Sequence, residues 1–525
     1  NPFGTDGELR SRAQDVGSRD YSVESTAWRF VAGLKGLLGN WDWLATVLLA
    51  QNDVTNTGRN EISRTRYQQA LLGMGGPNGD MYYNPFGEQP QNSAEVKNWI
   101  SATHLGNHES KASGLEFAVN GFFGARAGGP VGMAAGAEFR KNELDQWWDE
   151  QTMSDDLAGF GVLVPVSADR SVASAYIEFS LPLHETFEAQ LAARYDHYDD
   201  FGSTTNPKVA LRWQPIPSLM FRGSYSTSFS PPSFNELFDP VAMELQWYID
   251  TVRCEYTGLE EDCSWWEYPS QYSGNPNLDP EEGESWFVGM VWEPESVPGL
   301  NFQLDFWKFE HENRIVWFDP QNVLDAGGDQ GIQREPTGPD GTPGRIMWVE
   351  STNMNVDKLL TQGFDTTIRY AWSTQRAGNF DIALIHTYVD RYEFTETDDW
   401  WLEQGKNYAG KSLDKPIPRN RRNLNFSWNM GPHGAAANLH YVGEYESGEL
   451  WVDGQRTDQP WTVDSQATLD LQYSYEFEKL RQARLRLGCI NCTGEIPPLT
   501  WSAAPGPYHD PRGRVYYIRW HQPIR

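Results

Sequence analysis

Between Phe187 and Asp196 the apolar residues Phe187, Ala189, Leu191, Ala193 and Tyr195 alternate with Glu188, Gln190, Ala192, Arg194 and Asp196. A period of two places the apolar set on one face of a strand, and a helix cannot gather it. The pattern returns in residues 466–476. There Ala467, Leu469, Leu471, Tyr473 and Tyr475 form one row and Gln466, Thr468, Asp470, Gln472 and Ser474 the other. Phe302, Leu304 and Phe306 repeat it against Gln303 and Asp305, as do Leu424, Phe426 and Trp428. The chain is therefore expected to be all-β.

Further strand candidates cover residues 22–38, 41–52, 114–123, 131–141, 173–181, 207–214, 219–229, 284–292, 359–372, 380–392 and 515–521, and Leu485 and Leu487 begin another. Short links such as Gly39-Asn40, Pro182-Leu183-His184 and Gly431-Pro432-His433-Gly434 alternate with long irregular segments. The longest are residues 53–110, about fifty residues after Phe229, and residues 314–357. Roughly seventeen strands result, with short and long connections in turn, as in an up-and-down transmembrane barrel.

Composition narrows this picture. No apolar run approaches the ~18–20 residues of a spanning helix, and the best uncharged stretch, 157–168, is short and broken by Gly and Pro. Membrane insertion must therefore rest on strands, which alternate in polarity and leave overall hydropathy low. With 72 acidic against 42 basic residues and a formal charge of -30, the chain lacks the cationic clusters that hold nucleic acid. Its 23 Trp, 23 Tyr and 25 Phe argue against disorder. The first residues, NPFGTDGELRSR, carry no signal-peptide pattern and read as mid-loop, so the chain is expected to be part of a longer protein.

The run RYDHYDDFGSTTNPKVALRW, followed by RGSYSTSFSPPSFNELF, resembles the mid-barrel of TonB-dependent outer-membrane receptors. NPNLDPEEGESWFVGMVWEP near Asn275, TQGFDTTIRYAW at Thr361 and YHDPRGRVYYIRW at Tyr508 resemble the same family in the same order, together over more than half the chain. The resemblance implies a barrel of about 22 strands. It also implies residence in the outer-membrane lipid, active uptake of a large extracellular ligand, and coupling to the TonB complex through an N-terminal plug. Residues 1–525 would then supply a partial barrel domain with long extracellular loops, without the plug and roughly the first five strands. An odd number of strands closes an antiparallel barrel only with parallel ends, so free sheet edges are expected. The final residues, RWHQPIR, lack the terminal aromatic of many such barrels.

Within that frame, Trp147, Trp148, Trp247, Tyr248, Trp265, Trp266, Tyr268, Trp400 and Trp401 fall in the long loops. Aromatic faces beside carboxylates can stack on sugar rings or hold an amphipathic ligand. The same residues can equally form the interfacial girdle of any outer-membrane barrel. Glu260, Glu261 and Asp262 read by default as surface charge. Cys254 and Cys263 suit a loop staple better than a metal site, because no His accompanies them. Cys489 and Cys492 form a CxxC at a strand end, where a local disulfide is favoured over redox chemistry. Family members carry an apolar-Asn-Leu/Phe pattern there, from which this chain departs.

No Ser-His-Asp, HExxH or phosphate-binding loop is present, so neither catalysis nor a cofactor nor a metal is expected. Two rival readings remain. A secreted carbohydrate-binding or glycan-cleaving β protein would have loops of similar length at both strand ends, and a passive porin-like channel would have shorter loops.

Overall fold

The computed structural model describes residues 13–86, 91–154, 156–158, 163–317, 320–325, 331–394, 407, 409–412, 417–452, 455–500, 506 and 508–523. The strands are β1 (Asp20–Leu38), β2 (Trp41–Ile62), β3 (Ser101–Arg126), β4 (Gly129–Trp148), β5 (Val166–His184), β6 (Phe187–Tyr198), β7 (Gly202–Ile216) and β8 (Leu219–Ser230). They continue as β9 (Ala242–Tyr248), β10 (Trp266–Ser273), β11 (Glu281–Trp292), β12 (Leu300–Trp317), β13 (Ile332–Arg334), β14 (Ile346–Thr374), β15 (Gly378–Phe394) and β16 (Lys411–Ser412). The last are β17 (Asn420–Met430), β18 (His433–Val442), β19 (Tyr445–Val452), β20 (Gln455–Val463), β21 (Gln466–Phe477), β22 (Ala483–Ile490) and β23 (Val515–His521). Among the described residues six short α-helices lie between them: α1 (Arg64–Leu71), α2 (Ala94–Ile100), α3 (Glu150–Met153), α4 (Phe234–Phe238), α5 (Thr251–Thr257) and α6 (Pro320–Asp325).

Among the described residues seventeen strands form the wall, each antiparallel to the next: β1 to β8, then β11, β12, β14, β15, β17, β18, β21, β22 and β23. The six others belong to small sheets within the loops. Among the described residues β1 pairs only with β2, and β23 only with β22, so the wall has two open edges.

Register carries the alternation of each strand across the whole wall. Val209 on β7 lies opposite Tyr225, Tyr225 opposite Trp286, and Val288 on the same row opposite Phe306. Phe306 faces Phe364, and farther along Leu384 faces Leu424, Leu424 faces Leu439 and Leu439 faces Leu469. A one-residue slip in any pair would break this belt, so burial in an apolar phase fixes the register. Many of its side chains are exposed in the isolated chain, among them Leu115, Val209, Val288 and Ile518. In water so large an apolar surface would drive association; against hydrocarbon it is matched.

The opposite face is polar and internally paired. Arg222 donates two hydrogen bonds to Asp305, at 2.9 and 3.0 Å. Buried Asp196 accepts from Ser174 Oγ at 2.6 Å and from Arg194 Nε at 2.9 Å. Among the described residues no helix is long and apolar enough to cross a membrane.

Turns such as Gly39-Asn40 gather at one end of the wall, where Gly39 adopts φ 66°, a conformation that costs glycine little. The opposite end bears the long loops, except for a three-residue link between β6 and β7. The strands climb farther than the periodicity indicates. Residues 53–62 and 101–110, expected as loop, belong to β2 and β3, and β14 runs 29 residues against the ~9–11 that a tilted span needs. The extra length raises a platform at the loop end.

Candidate functional site

The most built-up part of that platform arises from residues 231–280, 320–325 and 331–345. β9 pairs antiparallel with β10, β10 runs parallel to the start of β14, and β13 pairs with the same stretch of β14. The spatial order is β9-β10-β14-β13. One face of this sheet is closed by Tyr248, Leu324, Ile332, Ile346 and Val349, with Tyr268 packed against them. Tyr248 and Tyr268 stack with ring centroids 4.9 Å apart, and the Tyr248 hydroxyl donates to the Pro269 carbonyl at 3.0 Å. Burial raises the pKa of this phenol well above its ordinary value.

Ion pairs tie the connecting segments to this core. Asp250 caps α5 by accepting from the Arg253 N–H at 3.1 Å, and its fully buried carboxylate takes Nη1 and Nη2 of Arg334 at 2.7 and 2.8 Å. Arg253 in turn donates Nε and Nη2 to Asp262 at 3.0 and 3.2 Å and Nη1 to the Pro343 carbonyl at 2.5 Å. The hydrogen bonds from Arg253 hold the Asp262 carboxyl below its ordinary pKa. Asp262 is therefore a buried structural residue, a correction to its reading as surface charge, whereas Glu260 and Glu261 are exposed. Cys254 and Cys263 are joined as a disulfide, with Cα atoms 4.7 Å apart.

Trp147 and Trp148, like Trp247 and Tyr248, do not act as adjacent pairs, because neighbours on a strand point to opposite faces. Trp247 is exposed while Tyr248 is buried. Trp265 and Trp266 are exposed, and Tyr268 belongs to the core. Trp148 lies on the lumen side, on the row of Gly106, where a Cβ would come within 2.3 Å of its ring; it packs between His104 and His108, with centroids at 5.2 and 5.0 Å. Trp147 is exposed on the outward row, at a position that suits the girdle. Trp400 and Trp401 lie outside the described residues. Cys489 and Cys492 face each other where β22 ends, Cα atoms 5.4 Å apart, with the Cys492 N–H bonded to the Leu469 carbonyl at 2.7 Å. Met243, Leu245 and Trp348 were not among the sequence candidates, although Met243, Leu245 and Trp247 already alternate within VAMELQWY.

A second lobe covers the loop between β2 and β3. Ala70, Tyr83, Val96 and Ile100 form its core, joined by Leu71, while Leu72 and Met74 are exposed. Asp156 clasps this lobe, accepting from Ser63 Oγ, from the Thr65 N–H at 2.7 Å and from Gln151 Nε2 at 3.1 Å. Burial opposes its ionisation, but these bonds outweigh it and bring the carboxyl to a pKa of about 2. Among the described residues no group of three His, Cys, Asp or Glu could hold a metal ion.

An apolar belt around a polar interior, turns at one end and folded loops at the other define an outer-membrane β-barrel with receptor-like loops. The family model described as "TonB dependent receptor-like, beta-barrel" matches residues 1–492, and the chain belongs to that family. The protein resides in the outer membrane, and its family is one of transport receptors.

The iron-regulated outer membrane virulence protein of Vibrio cholerae serotype O1 is 22% identical over 304 residues, a match covering 58% of this chain and 38% of that protein. The vitamin B12 transporter BtuB of Vibrio vulnificus is 23% identical over 232 residues, 43% of this chain and 30% of its own. The chain thus spans well under half the length of these relatives. Among solved structures, the siderophore receptor PirA from Acinetobacter baumannii superposes with a TM-score of 0.59 at 16% identity, over 94% of this chain and 62% of its own. A mutant of the ferric enterobactin receptor PfeA from Pseudomonas aeruginosa gives 0.61 at 15% identity, over 94% and 61%. At these identities the likeness is one of fold.

Proposed function

We propose that these 525 residues form the wall and ligand-capturing loops of an active importer for a large, scarce ligand: a ferric siderophore, a cobalamin or an oligosaccharide. The observation that carries this reading is the lobe built on β9, β10, β13 and β14, which stands on the wall of a receptor barrel and leaves Trp247, Trp265 and Trp266 exposed. Its fixed core and buried ion pairs hold those rings in place before a ligand arrives, so less ordering entropy is lost on capture. Pieces of the protein beyond these residues complete the reading: strands that satisfy the edges at β1 and β23, and a plug through which the TonB complex supplies energy. Capture then belongs to the loops, and release into the polar interior follows movement of the plug.

The loop asymmetry disfavours a secreted carbohydrate-binding protein, which would have comparable loops at both ends. The test uses cells lacking the full-length gene, restored with wild type or with Trp265→Ala/Trp266→Ala. Accumulation of labelled ferric chelates, cobalamin and oligosaccharides is measured with and without TonB. One class entering only with both the gene and TonB supports the reading, and reduced entry in the double variant assigns capture to the lobe. Entry that persists without TonB would place the protein among passive channels.

A further inference from the structure

We propose that Arg170 is the positioning residue of the capture lobe: it locks the stem of that lobe to the inner wall and so holds the exposed tryptophans at a fixed angle to the barrel mouth. This deepens the import reading and rests on it. The stem is α4 together with the residues before it. Pro231 and Pro232 restrict the backbone as it leaves β8, and the capping box of Ser233 and Glu236 starts the helix, so the segment is a stiff strut. Both ends of the lobe meet on it. The chain enters β9 soon after α4, and on its return the N–H groups of Asn275 and Gly274 donate to the carbonyls of Glu236 and Asp239 at 2.8 and 2.9 Å. A Cβ on Gly274 would lie 2.6 Å from the Asp239 nitrogen, so the returning chain is seated on the strut with no room for a side chain.

The strut runs back inside the mouth. β8 adjoins β7, β7 adjoins β6 and β6 adjoins β5, yet Phe234 reaches a side chain of β5, three strands away. That side chain is Arg170. It stands four residues from Ser174 on the same strand and therefore on the lumenal row, and Gln146, on the row of Trp148, meets Asn235 from β4 at 3.5 Å. Arg170 is only 6% exposed. Its Nε donates to Asp200 at 2.6 Å and its Nη2 to the Pro232 carbonyl at 2.8 Å. The rings of Tyr198, Phe201 and Phe234 lie 5.8, 5.7 and 5.1 Å from the guanidinium centre. Tyr198, Asp200 and Phe201 belong to the end of β6 and its link to β7, whereas Pro232 and Phe234 belong to the strut. One buried cation thus joins wall and lobe, and its planar fork makes the joint directional.

The lobe keeps its own core and its own ion pairs, so loss of Arg170 should free its tilt without unfolding it. Nitroxide labels at Glu24→Cys on β1 and Glu260→Cys on the lobe report that tilt as a distance, read by pulsed electron-spin resonance on the full-length receptor in lipid nanodiscs. Among the described residues no free cysteine competes for the label. We expect Arg170→Ala to widen the distance distribution about twofold, while residues 231–280 resist protease as in the wild type. Phe234→Leu, which leaves the wall half of the cage intact, should widen it as well, and it decides the test if Arg170→Ala does not assemble. Arg170→Lys, which keeps the charge but not the fork, should restore the narrow distribution only in part. In cells, half-maximal uptake of the ferric chelate, cobalamin or oligosaccharide that the wild type imports should need about tenfold more of it in Arg170→Ala, with the maximal rate kept. An unchanged distribution in Phe234→Leu, cleavage within its residues 231–280, or a fall in maximal rate alone would overturn the proposal. A receptor that imports through TonB while its lobe stays fixed in these variants fails this inference alone; one whose lobe is loosened but which imports nothing fails the import reading alone.

Discussion

At the scale of single residues, the loops are held by carboxylates whose partners are distant in sequence. Asp250 and Arg334 are 84 residues apart, and no local pattern joins them. Removing one partner leaves a buried charge uncompensated, a loss of about 3–5 kcal/mol. Arg334→Leu should therefore unfold the lobe selectively, seen as rapid protease cleavage within residues 231–280 while the strands of the wall stay intact. Asp156 offers a pH test. Its pKa is about 2 in the folded protein against 3.8 for the free side chain, so its stabilising contribution is full above the free value and fades as pH falls towards the folded one. The protection factor of the Thr65 amide, whose N–H it accepts, should fall as pH drops from about 4 towards 2, and Asp156→Asn should show low protection already at pH 6.

At the scale of elements, what the sequence could reveal depended on periodicity. β6, β21 and β17 each repeat an apolar-polar alternation over their length, and for that reason they were legible. Helix starts left a weaker mark: Ser233 and Glu236 make a reciprocal capping box within PPSFNELF, a local signal that could have been read. The upper halves of β2, β3 and β14 were not legible. Above the lipid both faces are wet or covered by loops, so alternation no longer follows depth. The same reasoning predicts that face outweighs position. Leu384→Lys, on the belt opposite Leu424, should lower stability in lipid by about 2–4 kcal/mol in urea titrations. Asn425→Lys, on the neighbouring lumen row, should stay within about 0.5 kcal/mol.

At the scale of the whole molecule, strand parity, loop alternation and the apolar belt agree, and each was visible in the chain before any contact was known. The candidate site was legible only in part. The tryptophans were conspicuous, but which member of the Trp147–Trp148 and Trp247–Tyr248 pairs is the more exposed follows from register, and register follows from partners elsewhere in the chain. The central claim is a wall whose long loops face the exterior and whose turns face the periplasm. Its most direct test is labelling of intact cells with a membrane-impermeant maleimide, using Asn78→Cys in the loop between β2 and β3 and Arg376→Cys in the turn between β14 and β15. The account predicts that position 78 is labelled on intact cells and position 376 only after the outer membrane is permeabilised. Labelling of position 376 on intact cells with position 78 protected would reverse the wall, and equal labelling of both would contradict insertion altogether.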